Sequence, residues 1–206
     1  MFTVLRKIYN WVLHWADTPH GLIALFILSF SEASFFPVPP DVLLIVLILG
    51  RREQALKFAV ICSIASIAGG FVGYSIGHFI WWDGTNYNSF ANFFFNNVPG
   101  FTEALFQKIQ SQYNHYGFII IFTAGFTPIP FKIITISAGA FNISLPLFLF
   151  ASTISRSGRF FLVSFIIWKF GDTINSFIGR HFNLLSMLFV VILVGSYLII
   201  NVILVN

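Results

Sequence analysis

Prolines interrupt an apolar segment near the start of the chain. Residues 22–30 and 42–49 are apolar, whereas residues 31–41 between them contain two acids and three prolines. Each apolar arm is far shorter than the ~20 residues with which a helix crosses a hydrocarbon core. Because proline lacks the N–H group of a helix interior, we expect one helix to end before the prolines and another to begin after them. These prolines are Pro37, Pro39 and Pro40.

The pattern predicts a re-entrant helical hairpin at residues 22–49, which enters the membrane and returns to the same side. Non-helical backbone at membrane depth is tolerated only where protein or a water-filled cavity surrounds it. Glu32 and Asp41 flank the break, and we expect them to line such a cavity. One long helix with a proline kink is the alternative.

The same pattern recurs in the second half of the chain. A short apolar arm at 118–126 precedes Pro128 and Pro130, and a second arm follows up to residue 140. We predict a second re-entrant hairpin at 118–140 and therefore an internal repeat. In each half a longer apolar segment comes next, at residues 58–82 and 147–170.

This organisation predicts an all-α integral membrane protein that forms a single membrane domain over residues 1–206. It has two re-entrant hairpins and about three full transmembrane helices. We expect these parts in chain order: an interfacial N-terminal helix at 1–19, a first repeat at 20–82, an amphipathic connector at 83–116, a second repeat at 117–171 and a C-terminal transmembrane helix at 183–205.

Composition supports this class and argues against others. The chain is 57% hydrophobic and 9% charged, with a mean hydropathy of +0.87. Its net charge of +4 comes from scattered basic residues, so no nucleic-acid partner is expected. Cys62 is the one cysteine, which argues against disulfides and thiolate metal sites. Catalytic and metal-binding motifs are missing from the sequence, so we predict a non-enzyme without metal or cofactor.

The distribution of basic residues predicts an orientation. If each hairpin returns to the side it left, nearly all lysines and arginines outside the membrane fall on one side, which the positive-inside rule makes cytoplasmic. We therefore predict a multi-pass protein of the bacterial cytoplasmic (inner) membrane with a cytoplasmic N-terminus. The two hairpins then enter from opposite sides, as inverted repeats of secondary transporters do. The residues on the predicted cytoplasmic side are Arg6, Lys7, Arg51, Arg52, Lys57, Lys169 and Arg180, whereas Lys108 lies opposite.

Charged residues in the two repeats are the candidate site. Arg156 and Arg159 are three residues apart and lie on one helix face, and together with Lys132 they suit a phosphate or another compact anion. Glu32 and Asp41 are candidates for proton coupling. Three alternatives stay open: the acids and arginines form structural ion pairs, Lys132 reaches to the membrane interface, and Asp41 only caps a helix.

Glycines in the longer apolar segments are candidates for close helix packing. Gly69, Gly73 and Gly77 recur every fourth residue and fall on one helix face, where a second helix can approach closely. Gly158 lies between the two arginines, and we predict a packing role for it as well.

Several of these stretches together resemble the DedA family of membrane proteins, also called the VTT-domain family, and within it the YqaA-like branch. The resemblance covers roughly residues 20–175 and depends on the combination rather than on one motif. The matching stretches are Glu32 with Phe36-Pro37-Val38-Pro39-Pro40-Asp41, the glycine-rich segment 69–77, Ala124-Gly125-Phe126-Thr127-Pro128-Ile129-Pro130-Phe131-Lys132 and Ser155-Arg156-Ser157-Gly158-Arg159-Phe160.

The resemblance implies opposed re-entrant hairpins around a polar cavity and a role in moving lipids across the bilayer, in several members driven by the proton-motive force. Glu32 and Asp41 match the family's acidic positions, and Arg156 and Arg159 match its essential arginines. Gly125 departs from the pattern, because better-studied members carry arginine there.

We accordingly expect a flippase or scramblase-like transporter of an anionic, phosphate-bearing lipid, with membrane lipids as partners; the sequence leaves a homo-oligomer open. The alternatives are a proton-coupled transporter of a small solute and a non-transporting membrane factor that supports envelope integrity.

Overall fold

The computed structural model describes residues 20–35, 39–99, 101–127 and 130–171, and these residues are mostly helical, as the sequence predicts. The predicted helices at 1–19 and 183–205 lie outside the described residues. Contacts divide the chain into two units, Met1–Trp168 and Lys169–Asn206, and the fold below is that of the first. Its helices are α1 (Gly21–Ser34), α2 (Asp41–Gly50), α3 (Ala55–Trp81), α4 (Ser89–Asn97), α5 (Glu103–Phe126), α6 (Phe131–Ala140) and α7, which is described at 145–171.

The helix breaks fall at the prolines, as predicted. Helix α1 ends at Ser34 and α2 begins at Asp41, while α5 ends at Phe126 and α6 begins at Phe131. Pro40 and Pro130 are the residues immediately before α2 and α6, where a missing N–H group costs no helical hydrogen bond. Pro39 also lies in the first break, whereas Pro37 and Pro128 lie outside the described residues. The membrane depth of the two breaks stays a prediction.

The second repeat begins differently from the sequence prediction. Helix α5 runs unbroken from Glu103 to Phe126, so the predicted boundary between a connector and a hairpin arm at residues 116 and 117 has no counterpart. Thr102 starts this helix by accepting a hydrogen bond from the Leu105 N–H at 3.2 Å. No proline stands between 103 and 126, and each of the two glycines, Gly117 and Gly125, costs a helix only ~1 kcal/mol.

Helix α3 is the central element. Among the described residues, Arg52–Trp81 is the stretch long and apolar enough to cross a membrane, and its first residues form a 3₁₀ turn, Arg52–Gln54. Its glycine face touches both broken helices. A Cβ atom would clash with the Phe30 carbonyl of α1 at Gly69 and with the Ile136 carbonyl of α6 at Gly77. The glycines therefore permit backbone contact with one helix from each repeat.

The two other glycines that the sequence singled out for packing, Gly73 and Gly158, differ in their surroundings. A Cβ atom at Gly73 would clash with the Thr135 hydroxyl and approach the Ala33 carbonyl, so this glycine lies between α1 and α6. Gly158 on α7 is exposed, and a Cβ atom there would meet only the Phe126 ring at an ordinary 3.6 Å. No helix thus approaches Gly158 closely enough, within the described residues, to require a glycine there.

An aromatic cluster surrounds Trp81 at the end of α3. An antiparallel ribbon of two short strands, β1 (Trp82–Asp83) and β2 (Asn86–Tyr87), turns the chain at Gly84 and leads into α4. Part of the connector's aromatic residues therefore form a core of their own, while Phe90 and Phe93 remain exposed on α4. The rings that lie within about 6 Å of Trp81 are Phe90, Phe94, Phe95, Phe101 and Phe106.

Side chains of α3, β1 and α5 hold the turn that follows α6. The Tyr74 hydroxyl donates to the Ile143 carbonyl at 2.5 Å, and the Trp82 indole N–H donates to the Ala140 carbonyl at 2.7 Å. From α5, Gln110 donates to the Phe141 carbonyl at 2.8 Å. The bonds to Ala140 and Phe141 satisfy carbonyl groups that the end of α6 leaves free, and the bond to Ile143 holds the turn beyond it, so the C-terminal end of the short α6 is fixed in place.

Candidate functional site

A buried ion pair joins the first repeat to α7. Glu32 in the last turn of α1 contacts Arg156, with 2.7 Å between Oε2 and Nη2, and the two side chains are only 6% and 2% exposed. Arg156 Nε donates to the Ser66 hydroxyl of α3, also at 2.7 Å. A buried charge costs several kcal/mol unless it is paired and hydrogen-bonded, and here both conditions are met.

Two aromatic rings enclose the Arg156 guanidinium. Its Cζ atom lies 4.9 Å from the centre of the Phe131 ring and 4.6 Å from that of Phe160. A guanidinium over an aromatic face gains a cation–π attraction that is larger when water is excluded. The rings therefore stabilise the charge and hold the guanidinium towards Glu32.

The Glu32 carboxylate also caps the N-terminus of α6, a helix of the other repeat. Its Oε1 accepts the backbone N–H of Phe131, the first residue of α6, at 2.9 Å. The first N–H groups of a helix lack partners, and the helix dipole favours negative charge there. The sequence suggested that Asp41 caps the helix that it begins. In the structure Glu32 of the first repeat caps α6 of the second repeat.

A second ion pair is more open to its surroundings. Arg159, one turn beyond Arg156, binds Asp41 in the first turn of α2 through Nε to Oδ1 at 3.1 Å and Nη2 to Oδ2 at 2.9 Å. The side chains are 14% and 17% exposed. Arg159 Nη1 also donates to the carbonyl of Thr127, the residue after α5. One guanidinium thus joins a helix start of the first repeat to a helix end of the second.

Two further contacts tie the end of α1 to α6. The Lys132 ammonium, half-buried, lies 3.4 Å from the Phe35 carbonyl. The buried Thr135 hydroxyl donates to the Ala33 carbonyl at 2.9 Å. Cations thus lie at the carbonyl ends of α1 and α5 and carboxylates at the N–H ends of α2 and α6, which is the arrangement that helix dipoles favour.

The structure brings the five predicted charged residues to the two helix breaks: four of them form the two ion pairs, and Lys132 contacts the Phe35 carbonyl. Sequence reasoning missed their uncharged partners. Ser66 precedes Gly69 by three residues and lies on the same face of α3, a spacing that could have indicated it. Nothing in the sequence singles out the stacking of Phe131 and Phe160, because phenylalanine occurs 28 times.

Gly125, which departs from the resembled pattern, lies against α7. A Cβ atom there would clash with the hydroxyl of Ser155, the residue before Arg156, and would lie 3.2 Å from the Phe131 ring. A larger side chain at position 125 would therefore displace the residues that hold Arg156. In the described part of the chain, no three His, Cys, Asp or Glu side chains gather closely enough to hold a metal ion.

These features define the class: a helical protein in which two broken helices meet in a charged network beside a helix able to cross a membrane. The chain belongs to the VTT-domain family, also called DedA, a family of membrane proteins. The family model described as the VTT domain matches residues 38–169. This range includes Asp41, Lys132, Arg156 and Arg159, while Glu32 lies before it. Assignment to the YqaA-like branch stays a prediction.

Two bacterial proteins are similar over nearly their whole length. One is an uncharacterized protein of Haemophilus influenzae, 31% identical over 201 residues that cover 96% of this chain and 98% of that protein. The other is an uncharacterized protein of Histophilus somni, 31% identical over 198 residues that cover 96% of this chain and 99% of that protein. No solved structure matches the chain.

Proposed function

We propose that the protein moves an anionic, phosphate-bearing lipid across the bacterial cytoplasmic membrane. The observation that carries this proposal is the bidentate pair of Arg159 and Asp41, which is partly exposed and lies between helix ends of both repeats. A guanidinium that holds a carboxylate through two N–H groups holds a phosphate in the same way. Broken helices of this kind form the substrate sites of many transporters.

The two arginines have different roles in this proposal. Arg156 is enclosed by Glu32, Ser66 and two aromatic rings, so it supports the site electrostatically and keeps its own partner. Arg159 is the more exposed of the two and binds the phosphate directly. Lys132 assists, since its ammonium has only a long contact with the Phe35 carbonyl and a flexible stem that can turn towards a ligand.

Competition for Arg159 supplies the coupling to protons. The Asp41 carboxylate and a lipid phosphate need the same N–H groups, so binding of one displaces the other. A proton that neutralises Asp41 weakens its hold on Arg159 and favours lipid binding, and release of the proton reverses this. Glu32 plays the same part for Arg156 only if the buried pair opens. The acyl tails remain in the bilayer while one repeat rocks against the other.

One observation favours a different class of function. The ion pairs and the helix caps satisfy each other across the repeats, which is also what a static structural network would do. A non-transporting membrane factor that supports envelope integrity is therefore the second candidate. The two candidates differ in what neutral substitutions do: a transport site loses activity at normal abundance, whereas a structural network loses folded protein.

Reconstitution in liposomes tests the proposal. Purified protein is incorporated with a fluorescent or chemically trappable polyprenyl phosphate or phospholipid, and translocation is followed with and without a pH gradient. We expect Arg159→Ala to slow translocation at least about tenfold, because a charge-assisted contact is worth about 1.5–3 kcal/mol. Arg159→Lys, which keeps the charge but loses the bidentate geometry, should retain part of the rate.

Two controls sharpen the result. Arg51→Ala removes an exposed arginine from the turn after α2 and should leave translocation unchanged. Asp41→Asn should abolish the effect of the pH gradient while lipid binding persists. If a well-folded wild type moves neither lipid under either condition, the lipid proposal is wrong. Loss of folded protein rather than activity in Arg159→Ala and Asp41→Asn would support the structural alternative.

A further inference from the structure

A cavity lies away from the charged network, where α3 begins and the described part of α7 ends. Its volume is about 420 Å³, within the range of sites that hold small molecules. Arg52, Glu53 and Leu56 form one wall, and Phe161, Ser164 and Trp168 on α7 form the other. Neither Glu32 nor Arg159 contributes to it.

Two residues of opposite charge line this cavity. Arg52 and Glu53 are consecutive in the 3₁₀ turn that precedes α3, and both are among the residues that line the cavity. A guanidinium favours a phosphate, and a carboxylate favours an ammonium group that can donate hydrogen bonds. The pair therefore matches a zwitterion that carries both groups better than it matches a simple anion.

The remaining walls are apolar and open to the surroundings. Leu56 is 68% exposed, Phe165 54% and Trp168 51%. They lie at the end of the one described stretch that is long and apolar enough to cross a membrane, Arg52–Trp81. Tryptophan is enriched where hydrocarbon meets head groups. Acyl chains suit such walls, and a lipid is therefore the occupant that fits both the charges and the apolar surface.

Ser164 supplies an independent observation. This residue is 3% exposed, and its hydroxyl has no hydrogen-bond partner within the described part of the chain. A serine inside a helix commonly donates to the carbonyl four residues earlier, and an unpartnered buried hydroxyl is uncommon. On the wall of a cavity, such a group indicates a ligand with an oxygen acceptor, such as the ester or phosphate of a phospholipid.

We propose that this cavity binds one zwitterionic phospholipid whose head group carries a primary ammonium. Arg52 holds the phosphate, Glu53 holds the ammonium, Ser164 donates to an ester or phosphate oxygen, and the acyl chains follow Leu56 and Phe161. The site is separate from the charged network and does not depend on the transport proposal.

Native mass spectrometry of delipidated protein tests this proposal. The protein is titrated with phosphatidylethanolamine, phosphatidylcholine and phosphatidylglycerol of identical acyl chains. We expect one molecule of phosphatidylethanolamine to bind about tenfold more tightly than phosphatidylglycerol, which lacks the ammonium. Phosphatidylcholine should bind with intermediate affinity, because its trimethylammonium group cannot donate a hydrogen bond to Glu53.

Variants assign the binding to this cavity. Glu53→Gln should remove the preference for phosphatidylethanolamine, and Arg52→Gln should weaken all three lipids. Ser164→Ala should weaken binding a few-fold. Glu103→Gln, a matched change at an exposed glutamate of α5, should alter nothing.

Several results would overturn the proposal. The first is equal affinity of the wild type for the three lipids. The second is an unchanged preference of Glu53→Gln for phosphatidylethanolamine. A third is loss of binding in Arg159→Ala but not in Arg52→Gln, which would place the lipid at the charged network. Size-exclusion profiles show whether each variant is folded. If Ser164→Ala is not folded, Arg52→Gln and Glu53→Gln still test whether the lipid binds in this cavity.

Discussion

Replacement of Glu32 by alanine is the sharpest test of the buried network. The substitution removes the partner of Arg156, whose side chain is only 2% exposed, and the acceptor of the Phe131 N–H group. Breaking a buried ion pair from one side costs about 3–5 kcal/mol, because the other charge stays buried without compensation. For a chain of this size, that corresponds to a fall in melting temperature of about 6–20 °C.

The assay is thermal unfolding of purified variants in one detergent, with three comparisons. Glu103→Ala, at an exposed glutamate, should lower the free energy of unfolding by less than ~0.5 kcal/mol. Asp41→Ala should fall between the two, since its pair with Arg159 is partly exposed. The double variant Glu32→Gln/Arg156→Met should recover much of the loss, because both charges are gone and the glutamine carbonyl can still accept the Phe131 N–H.

The reasoning is refuted by either of two results. If Glu32→Ala costs no more than Glu103→Ala, the buried pair does not stabilise the fold. If the double variant loses the sum of the losses measured for Glu32→Gln and Arg156→Met separately, Glu32 and Arg156 are not coupled.

Other contacts lead to further predictions, each measured by the same thermal unfolding. Gly77→Ala should lower the free energy of unfolding by about 1–3 kcal/mol because its Cβ meets the Ile136 carbonyl, whereas Gly158→Ala should be neutral or slightly stabilising. Equal effects at the two glycines would contradict the contact with α6. Tyr74→Phe should cost about 1–3 kcal/mol by leaving the Ile143 carbonyl without its donor, and Tyr116→Phe, at an exposed tyrosine, should not be measurable. Trp82→Phe should cost about 1 kcal/mol through the lost bond to the Ala140 carbonyl; an unchanged melting temperature would show that water replaces the indole N–H.

The sequence predicts the broken helices well because proline acts locally. Proline lacks the N–H group of a helix interior and disfavours helical backbone in the residue before it, so the breaks between Ser34 and Asp41 and between Phe126 and Phe131 follow largely from the local sequence. The start of α5 at Glu103 was missed for a related reason. Polar residues suggested a boundary near residue 116, but polarity alone does not interrupt the backbone hydrogen bonds of a helix.

The pairing of charges could not be read from the sequence. Glu32 and Arg156 are separated by 124 residues, and Asp41 and Arg159 by 118. Either acid could pair with either arginine as far as spacing shows, and the choice is made by the packing of α1 and α6 on α3. The same packing decides that Glu32 caps α6, a contact that depends on the approach permitted by the glycine face.

The location of the charges limits how the two repeats can move apart. Each break is closed by a group from elsewhere in the fold: Glu32 of the first repeat caps α6, and Arg159 of the second binds Asp41 and the Thr127 carbonyl. If the network lies at membrane depth, as the transport proposal requires, separation would expose helix ends and charges together at a high cost. Opening is therefore favourable only if another group replaces a lost partner. In the proposed transport cycle, a proton on Asp41 with an anion on Arg159 meets this requirement, because it leaves neither charge unpaired.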